Sequence, residues 1–326
     1  MKKEQFKTPI LLIIFNRPKL IKKVFREVKK IKPRILFVAA DGSRSGIKGE
    51  QKLCQKAREA VFNNIDWPCK VYKLISENNL GCGRGPAKAI DWFFSKTKRG
   101  IILEDDCLPN EDFFYFCEEM LRRYKNNKKI MAISGDNFQF GNWRGGGSYY
   151  FSKILNVSGW ASWKRAWRNY DFDMKSFPEF EKKGVIKTLW RRKKVQRYWV
   201  KTMYKTYNAK KKGSWDYQWL FSIWEKDGLC IAPNKNLVSH IGFGKDATHT
   251  ISDYPFLFIS RHHLRKIIDP KQIIRNIEAD EFYCNEYWVN DLRKIFYRLR
   301  LNRLRSKIIN LFHKNNKRVA AKKFNR

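Results

Sequence analysis

The sequence predicts an α/β protein: a mostly parallel sheet flanked by helices, with a basic helical extension at its C-terminal end. Short apolar runs rich in β-branched residues alternate with amphipathic segments of helical period through the first third of the chain. Glycine, proline, asparagine and aspartate mark the joins between them. The 326 residues are enough for one large domain plus an extension, and 12 Trp and 24 Phe allow a sizeable core.

The elements follow in order. Ile10–Phe15 is a strand that stops at Asn16-Arg17-Pro18, and Pro18 suits the first helical position of a helix over Lys19–Lys30. Arg34–Ala40 is a second strand, ended by Asp41-Gly42-Ser43. A helix over Glu50–Asn63, a strand over Lys70–Ile75 and a helix over Gly85–Ser95 come next. Gly100–Leu103 is a fourth strand, and Glu104, Asp105 and Asp106 follow it directly. Asn110, Glu111 and Asp112 cap the apolar-periodic segment Phe113–Tyr124.

Lys129–Ser134 and Tyr149–Lys153 read as strands on either side of a turn at Gly145-Gly146-Gly147. Helices are expected over Ala161–Tyr170, over the long basic run Leu189–Lys212, and over Trp215–Lys226. Leu229–Ile241 contains a final strand. No repeat or low-complexity linker interrupts the pattern, so residues 1–260 form one compact unit and 261–326 a separate extension.

A formal net charge of +38 admits three kinds of partner: nucleic acid, an anionic membrane, or a polyanionic substrate. No acidic residue follows Asp291, while Leu292, Ile295, Phe296, Leu299, Leu304, Ile308 and Phe312 recur near helical period among arginines and lysines. That is the pattern of a helix lying on an anionic membrane surface. A helix packed on its own domain with a solvated basic face fits it equally well. Lys314–Arg326 reads as a disordered basic tail.

No zinc-finger, RNP or helix-turn-helix signature accompanies the charge, which argues against specific nucleic-acid binding. Seven cysteines without a Cys-x-x-Cys pair indicate neither a disulfide framework nor a zinc site. No apolar run approaches the roughly 20 residues of a membrane span. Ile10–Phe15 is also too short for a signal-peptide core. The expected location is cytoplasmic, peripheral on the inner face of the membrane.

In so basic a chain, three carboxylates after a buried strand call for a cation, and hard oxygen ligands suit Mn²⁺ or Mg²⁺. The plainer alternative is a solvated loop, since the capping task already falls to Asn110–Asp112. Other short features are weak singly. Asp41-Gly42 alone reads as a strand-ending turn. Glu77–Pro86 is glycine-rich and leads into a helix, but lacks the Gly-Lys-Ser/Thr of a P-loop. Ser214 or Asp216 could be a helix N-cap, and His240 and His249 could be structural histidines in turns.

Taken in order, the motifs make a stronger case. Asn16-Arg17-Pro18, Asp41-Gly42, Glu77-Asn78-Asn79-Leu80-Gly81, Glu104-Asp105-Asp106, Pro109-Asn110-x-x-Phe113-Phe114, Ser158-Gly159-Trp160-Ala161-Ser162-Trp163 and Trp215-Asp216-Tyr217-Gln218-Trp219 recur in one sequence. Together they resemble a GT-A-fold glycosyltransferase, and within it the inverting N-acetylglucosaminyltransferase I family and its bacterial relatives. The likeness runs over roughly residues 8–250 and excludes the basic C-terminus.

The resemblance implies a nucleotide-sugar donor, with uridine diphosphate preferred, and a glycan or lipid-linked acceptor. It implies Asp106 as direct metal ligand, with Glu104 and Asp105 contacting the nucleotide's sugar or the metal's waters. Asp41 matches the residue that binds the uracil edge, while Asn16 and Arg17 sit beside the nucleotide and phosphates. Arg84 is expected at the donor, and Asp216 as catalytic base between Trp215 and Trp219, whose rings could stack on sugars. A late loop around Lys245 is expected to supply a metal-binding histidine, His249 ahead of His240.

Two other readings stand beside this one. A nucleotidyltransferase that makes nucleotide sugars shares the sheet and acidic site, but Ile14-Phe15-Asn16-Arg17-Pro18 lacks that class's glycine-rich signature. A non-catalytic basic protein that binds nucleic acid or membrane would explain the charge alone.

Overall fold

A computed structural model describes residues 5–242, 259–264 and 266–289. The elements over the first half are β1 (Ile10–Ile14), α1 (Pro18–Ile31), β2 (Ile35–Ala40), α2 (Glu50–Phe62), β3 (Lys70–Ile75), α3 (Gly81–Lys96), β4 (Arg99–Glu104), β5 (Cys107–Pro109), α4 (Glu111–Arg123) and β6 (Ile130–Ser134). Then come β7 (Tyr149–Ser152), β8 (Trp160–Trp163), α5 (Lys164–Trp167), α6 (Phe177–Lys182), α7 (Val185–Leu189), α8 (Lys193–Tyr207), α9 (Asp216–Glu225), β9 (Leu229–Pro233), β10 (Val238–His240) and α10 (Ile277–Tyr283).

An eight-stranded sheet in the order β3-β2-β1-β4-β8-β6-β9-β7 forms the centre, and β5 and β10 make a separate antiparallel ribbon. β3, β2, β1 and β4 are mutually parallel; β6 and β9 point the same way, and β8 and β7 oppose them. This is the α/β architecture that the alternating pattern predicts.

Burial follows the two-residue period of a strand. Ile10, Leu12, Ile14, Ile101 and Leu103 enter the core on one face with Val24 of α1, Val61 of α2 and Phe114 of α4. Leu11 and Ile102 enter the other face, with Phe93 of α3 and Trp219 of α9. Both faces of the central strands are covered, so these strands read as unbroken apolar runs rather than alternating ones.

Four expectations change. Ala161–Trp163 is strand, not helix: β8 lies between β4 and β6 with all four residues buried, and only the one-turn helix α5 follows it. Ladder pairing on both edges, with Ser162 Oγ donating to the Met131 carbonyl at 2.7 Å, overrides local helical period. The long basic helix is shorter than Leu189–Lys212, because Trp190 is extended (φ −128°, ψ 136°) and buried under Trp199 and the Arg275 guanidinium. Its C-terminal part, Lys210–Lys212, has no apolar residue to pack and forms a loop.

The third helix begins at Gly81 rather than Gly85, which leaves Pro86 inside it. An anchor from outside the segment holds that extra turn, as described below. Leu229–Ile241 holds two strands in different sheets, not one. The final described residues fold back on the sheet: Asp280, buried in α10, accepts from Ser152 Oγ, the Lys153 amide and Arg275 Nε. The basic segment Leu292–Phe312 and the tail lie outside the described residues.

Candidate functional site

Parallel pairing brings the carboxyl ends of β1, β2 and β4 to one edge of the sheet. Ile14 pairs with Ala40, and Ile13 with Glu104, so Arg17, Asp41 and the acidic triplet emerge side by side. In open α/β sheets that edge is where ligands bind. Here it opens into a cavity of about 1360 Å³, bounded by Arg17, Asp41, Arg84, the triplet, Asp216 and His240 among others.

Arg17 is the residue just before α1, and its guanidinium bridges Asp105 and Asp106, reaching Asp106 Oδ2 at 2.8 Å. The Phe15 amide donates to Asp105 Oδ2 at 3.2 Å. The ribbon supplies the third partner: pairing of His240 with Cys107 sets His240 Nε2 3.3 Å from Asp106 Oδ2. The Ile241 amide donates to the Asp106 carbonyl at 2.8 Å. Gly242 then passes so close that a Cβ there would lie 2.4 Å from Asp106 Oδ2.

The three acids differ in charge behaviour. Burial pushes Glu104 up to about 8, reinforced by Asp106 and Asp105. Burial likewise raises Asp105, to about 6, against the opposing pull of Arg17. Burial would raise Asp106 too, but the hydrogen bond and charge of His240, with Arg17, hold it well below the usual carboxylate range. Burial alone would lower His240, yet Asp106 and Glu104 raise it, so the pair resembles imidazolium facing carboxylate.

Carboxylate oxygens beside one imidazole are groups that a divalent cation accepts once the imidazole gives up its proton. Among the described residues, however, no three His, Cys, Asp or Glu side chains converge to hold a metal ion. Asp106 and His240 are the two side chains here that could hold such an ion. His249 and Lys245 lie outside the described residues.

Asp41 has a structural duty that the sequence does not disclose. Its carboxylate accepts from the amides of Gly42 at 3.0 Å, Leu80 at 2.9 Å and Gly81 at 3.2 Å, and from Asn79 Nδ2 at 3.1 Å. Those bonds hold the first turn of α3, which explains the early helix start. Burial raises its carboxyl, opposed by the same amides. Its oxygens are committed before any base edge arrives. Asn16 is similarly engaged, donating to buried Glu50 Oε1 at 2.9 Å, and is not part of the cavity wall. Glu50 also grips Arg44, tying the loop after β2 to α2.

Arg84, exposed on α3, lies over the Phe172 ring at 4.7 Å and faces the cavity. Asp216 is the first residue of α9, on the wall formed with Lys210–Lys212. The preceding residue, Trp215, is the N-cap and no side chain caps the helix, so neither Ser214 nor Asp216 does that work. The flanking tryptophans do not offer faces to a sugar: Trp219 is fully buried against Trp160 and Trp167, and Trp215, 4% exposed, stacks on Trp160. The sequence does not disclose the pairing of His240 with Asp106, because His240 reaches it only through ribbon pairing across more than a hundred residues.

No family model matches this chain, and no curated protein does. Among solved structures it is similar to the crystal structure of HddC from Yersinia pseudotuberculosis, at 10% identity and a TM-score of 0.32, covering 53% of this chain and 86% of that one. The same protein complexed with GMP-PN matches at 11% identity, a TM-score of 0.31, and the same coverage. S. aureus TarS 1-349 matches at 10% identity and a TM-score of 0.35, over 51% of this chain and 49% of that one. Likenesses this distant establish neither family nor activity.

Proposed function

We propose that this protein is a glycosyltransferase that moves a sugar from a nucleotide-diphosphate donor, with uridine diphosphate preferred, to a hydroxyl of a glycan or lipid-linked acceptor. One observation carries the reading. The acidic triplet with Arg17, and Asp216, a carboxylate that caps no helix, line the same large cavity at the carboxyl edge of a parallel sheet. The two lie near enough for Asp216's charge to add to the elevation of Glu104.

In this reading Arg17 and Arg84 offer guanidinium groups to the diphosphate, where planar donors match phosphate oxygens. A divalent cation held by Asp106 and His240 would supply Lewis-acid neutralisation of the leaving diphosphate. Glu104 and Asp105 orient the nucleotide's sugar or the cation's waters. Asp216 takes the acceptor hydroxyl's proton as that oxygen attacks the anomeric carbon from the face opposite the leaving group. One base and a direct displacement give inversion. A nucleotidyltransferase would share the acidic site but has no use for a base that deprotonates an acceptor hydroxyl.

The test is a thermal-shift screen of nucleotide sugars with and without Mn²⁺, followed by transfer assays on Asp216→Asn. Stabilisation by one donor that depends on metal supports the assignment, because a ligand that binds only the native state raises its stability. The Asp216→Asn variant should keep donor binding and lose transfer by about 10²–10⁴-fold. Normal transfer by that variant rejects the base assignment.

A further inference from the structure

A second cavity, of about 180 Å³, lies beside the first and shares Val157, Asp216 and Tyr217 with it. Its depth holds Asp136, which follows β6 and is 3% exposed. Ser134 Oγ donates to Asp136 Oδ1 at 2.7 Å, while Oδ2 is buried without a well-formed hydrogen bond among the described residues. Burial pushes this carboxyl up to about 7, against the opposing pull of the Ser134 and Ser158 hydroxyls.

Such a group is costly to keep. A buried carboxyl oxygen without a well-formed hydrogen bond has lost its hydration for little return. Its walls combine the apolar faces of Phe138, Leu220 and Trp199 with the polar side chains of Asn156 and Ser158. Tyr283 Oη already donates to Asn156 Oδ1 at 2.7 Å, which holds that amide in place. The space exceeds one water's need by roughly an order of magnitude. Apolar walls with a few placed polar groups are how a pocket binds and orients a small polar molecule.

We propose that this recess seats the acceptor: a hydroxyl-rich sugar unit enters it, and Asp136 Oδ2 forms a hydrogen bond with one of that unit's hydroxyls. The inference rests on the transferase reading, since it is Asp216 at the shared mouth that makes the recess an acceptor seat. Asp136 is a specificity residue in this arrangement. It binds the acceptor, and the reacting hydroxyl lies toward Asp216.

The experiment uses the full chain and two independent measurements. Saturation-transfer NMR probes the methyl glycosides of glucose, galactose and N-acetylglucosamine, with glycerol as control. Calorimetry measures UDP with Mn²⁺. We expect at least one glycoside, and not glycerol, to receive saturation from the wild type. Its affinity should fall about tenfold or more in Asp136→Asn, as expected when a buried hydrogen-bond partner is lost, with UDP affinity within about twofold. Asn156→Ala reads the same recess through a second residue if Asp136→Asn does not fold. Glycoside binding unmoved by the substitutions, or absent while UDP binds, overturns the acceptor seat and leaves the donor reading standing. Absent UDP binding, with glycosides still bound and sensitive to Asp136, rejects the donor reading alone.

Discussion

Arg17 shows how much one residue decides at this site. Asp105 is 2% exposed and Asp106 nearly as buried; the bridging guanidinium is the main compensating charge for Asp105 and shares Asp106 with His240. Arg17→Ala strands buried Asp105 and leaves Asp106 to His240 alone, and should cost about 3–5 kcal/mol in chemical denaturation. Arg17→Lys keeps the charge but not the fork that spans both acids, and should fall between. Asp136 gives a signature in pH. Its carboxyl sits near 7 when folded, against an ordinary value of 3.8. Between those limits the folded state holds a proton that the unfolded chain releases, so this group's stabilising contribution is full below about pH 4 and is lost as pH rises through about 7. Asp136→Asn removes that dependence. Relative to wild type, the variant's unfolding free energy should gain about 1–3 kcal/mol between pH 5 and pH 8 in chemical denaturation; parallel curves would refute the assignment.

Among elements, the ribbon of β5 and β10 matters most to the site. It sets His240 against Asp106 and leads the chain over that carboxylate at Gly242. Gly242→Ala should displace Asp106, weakening Mn²⁺ and UDP affinity by about tenfold or more while the melting temperature changes by only a few degrees. Equal affinity in calorimetry would show that the turn can yield. Elements whose local signals agree with their packing were legible from sequence: β3 matches residue for residue, and β1, α1, β2 and α2 match to within a residue or two. Those that misled did so for a tertiary reason. β8 reads as helix because its apolar residues also suit helical period, and only its two neighbouring strands make it a strand. α3 starts a turn early because Asp41, just past the end of β2, takes its free amides.

At the scale of the molecule the net charge of +38 is the outstanding property, and among the described residues no helix is long and apolar enough to cross a membrane. We propose peripheral association with anionic membrane through Leu292–Phe312, consistent with an acceptor carried on lipid. The full chain should float with phosphatidylserine-containing vesicles and be released as salt rises, each nearby Lys or Arg contributing on the order of 1 kcal/mol. A chain ending at residue 289 should lose most of this binding; equal flotation of the two would place the contact on the domain.

By itself the sequence determined the α/β alternation, the strand that delivers Glu104–Asp106, and the set of carboxylates and arginines at the sheet's edge. Those follow from apolar period and chain order, which are local. Only the tertiary structure decided how the charges are spent. It showed Asp41 tied to α3, Asn16 tied to Glu50, Trp219 sunk in the core, His240 paired with Asp106, and Asp136 buried behind Asp216. Each of these depends on which residues from distant segments pack against the group or hydrogen-bond to it, and spacing along the chain carries no record of that.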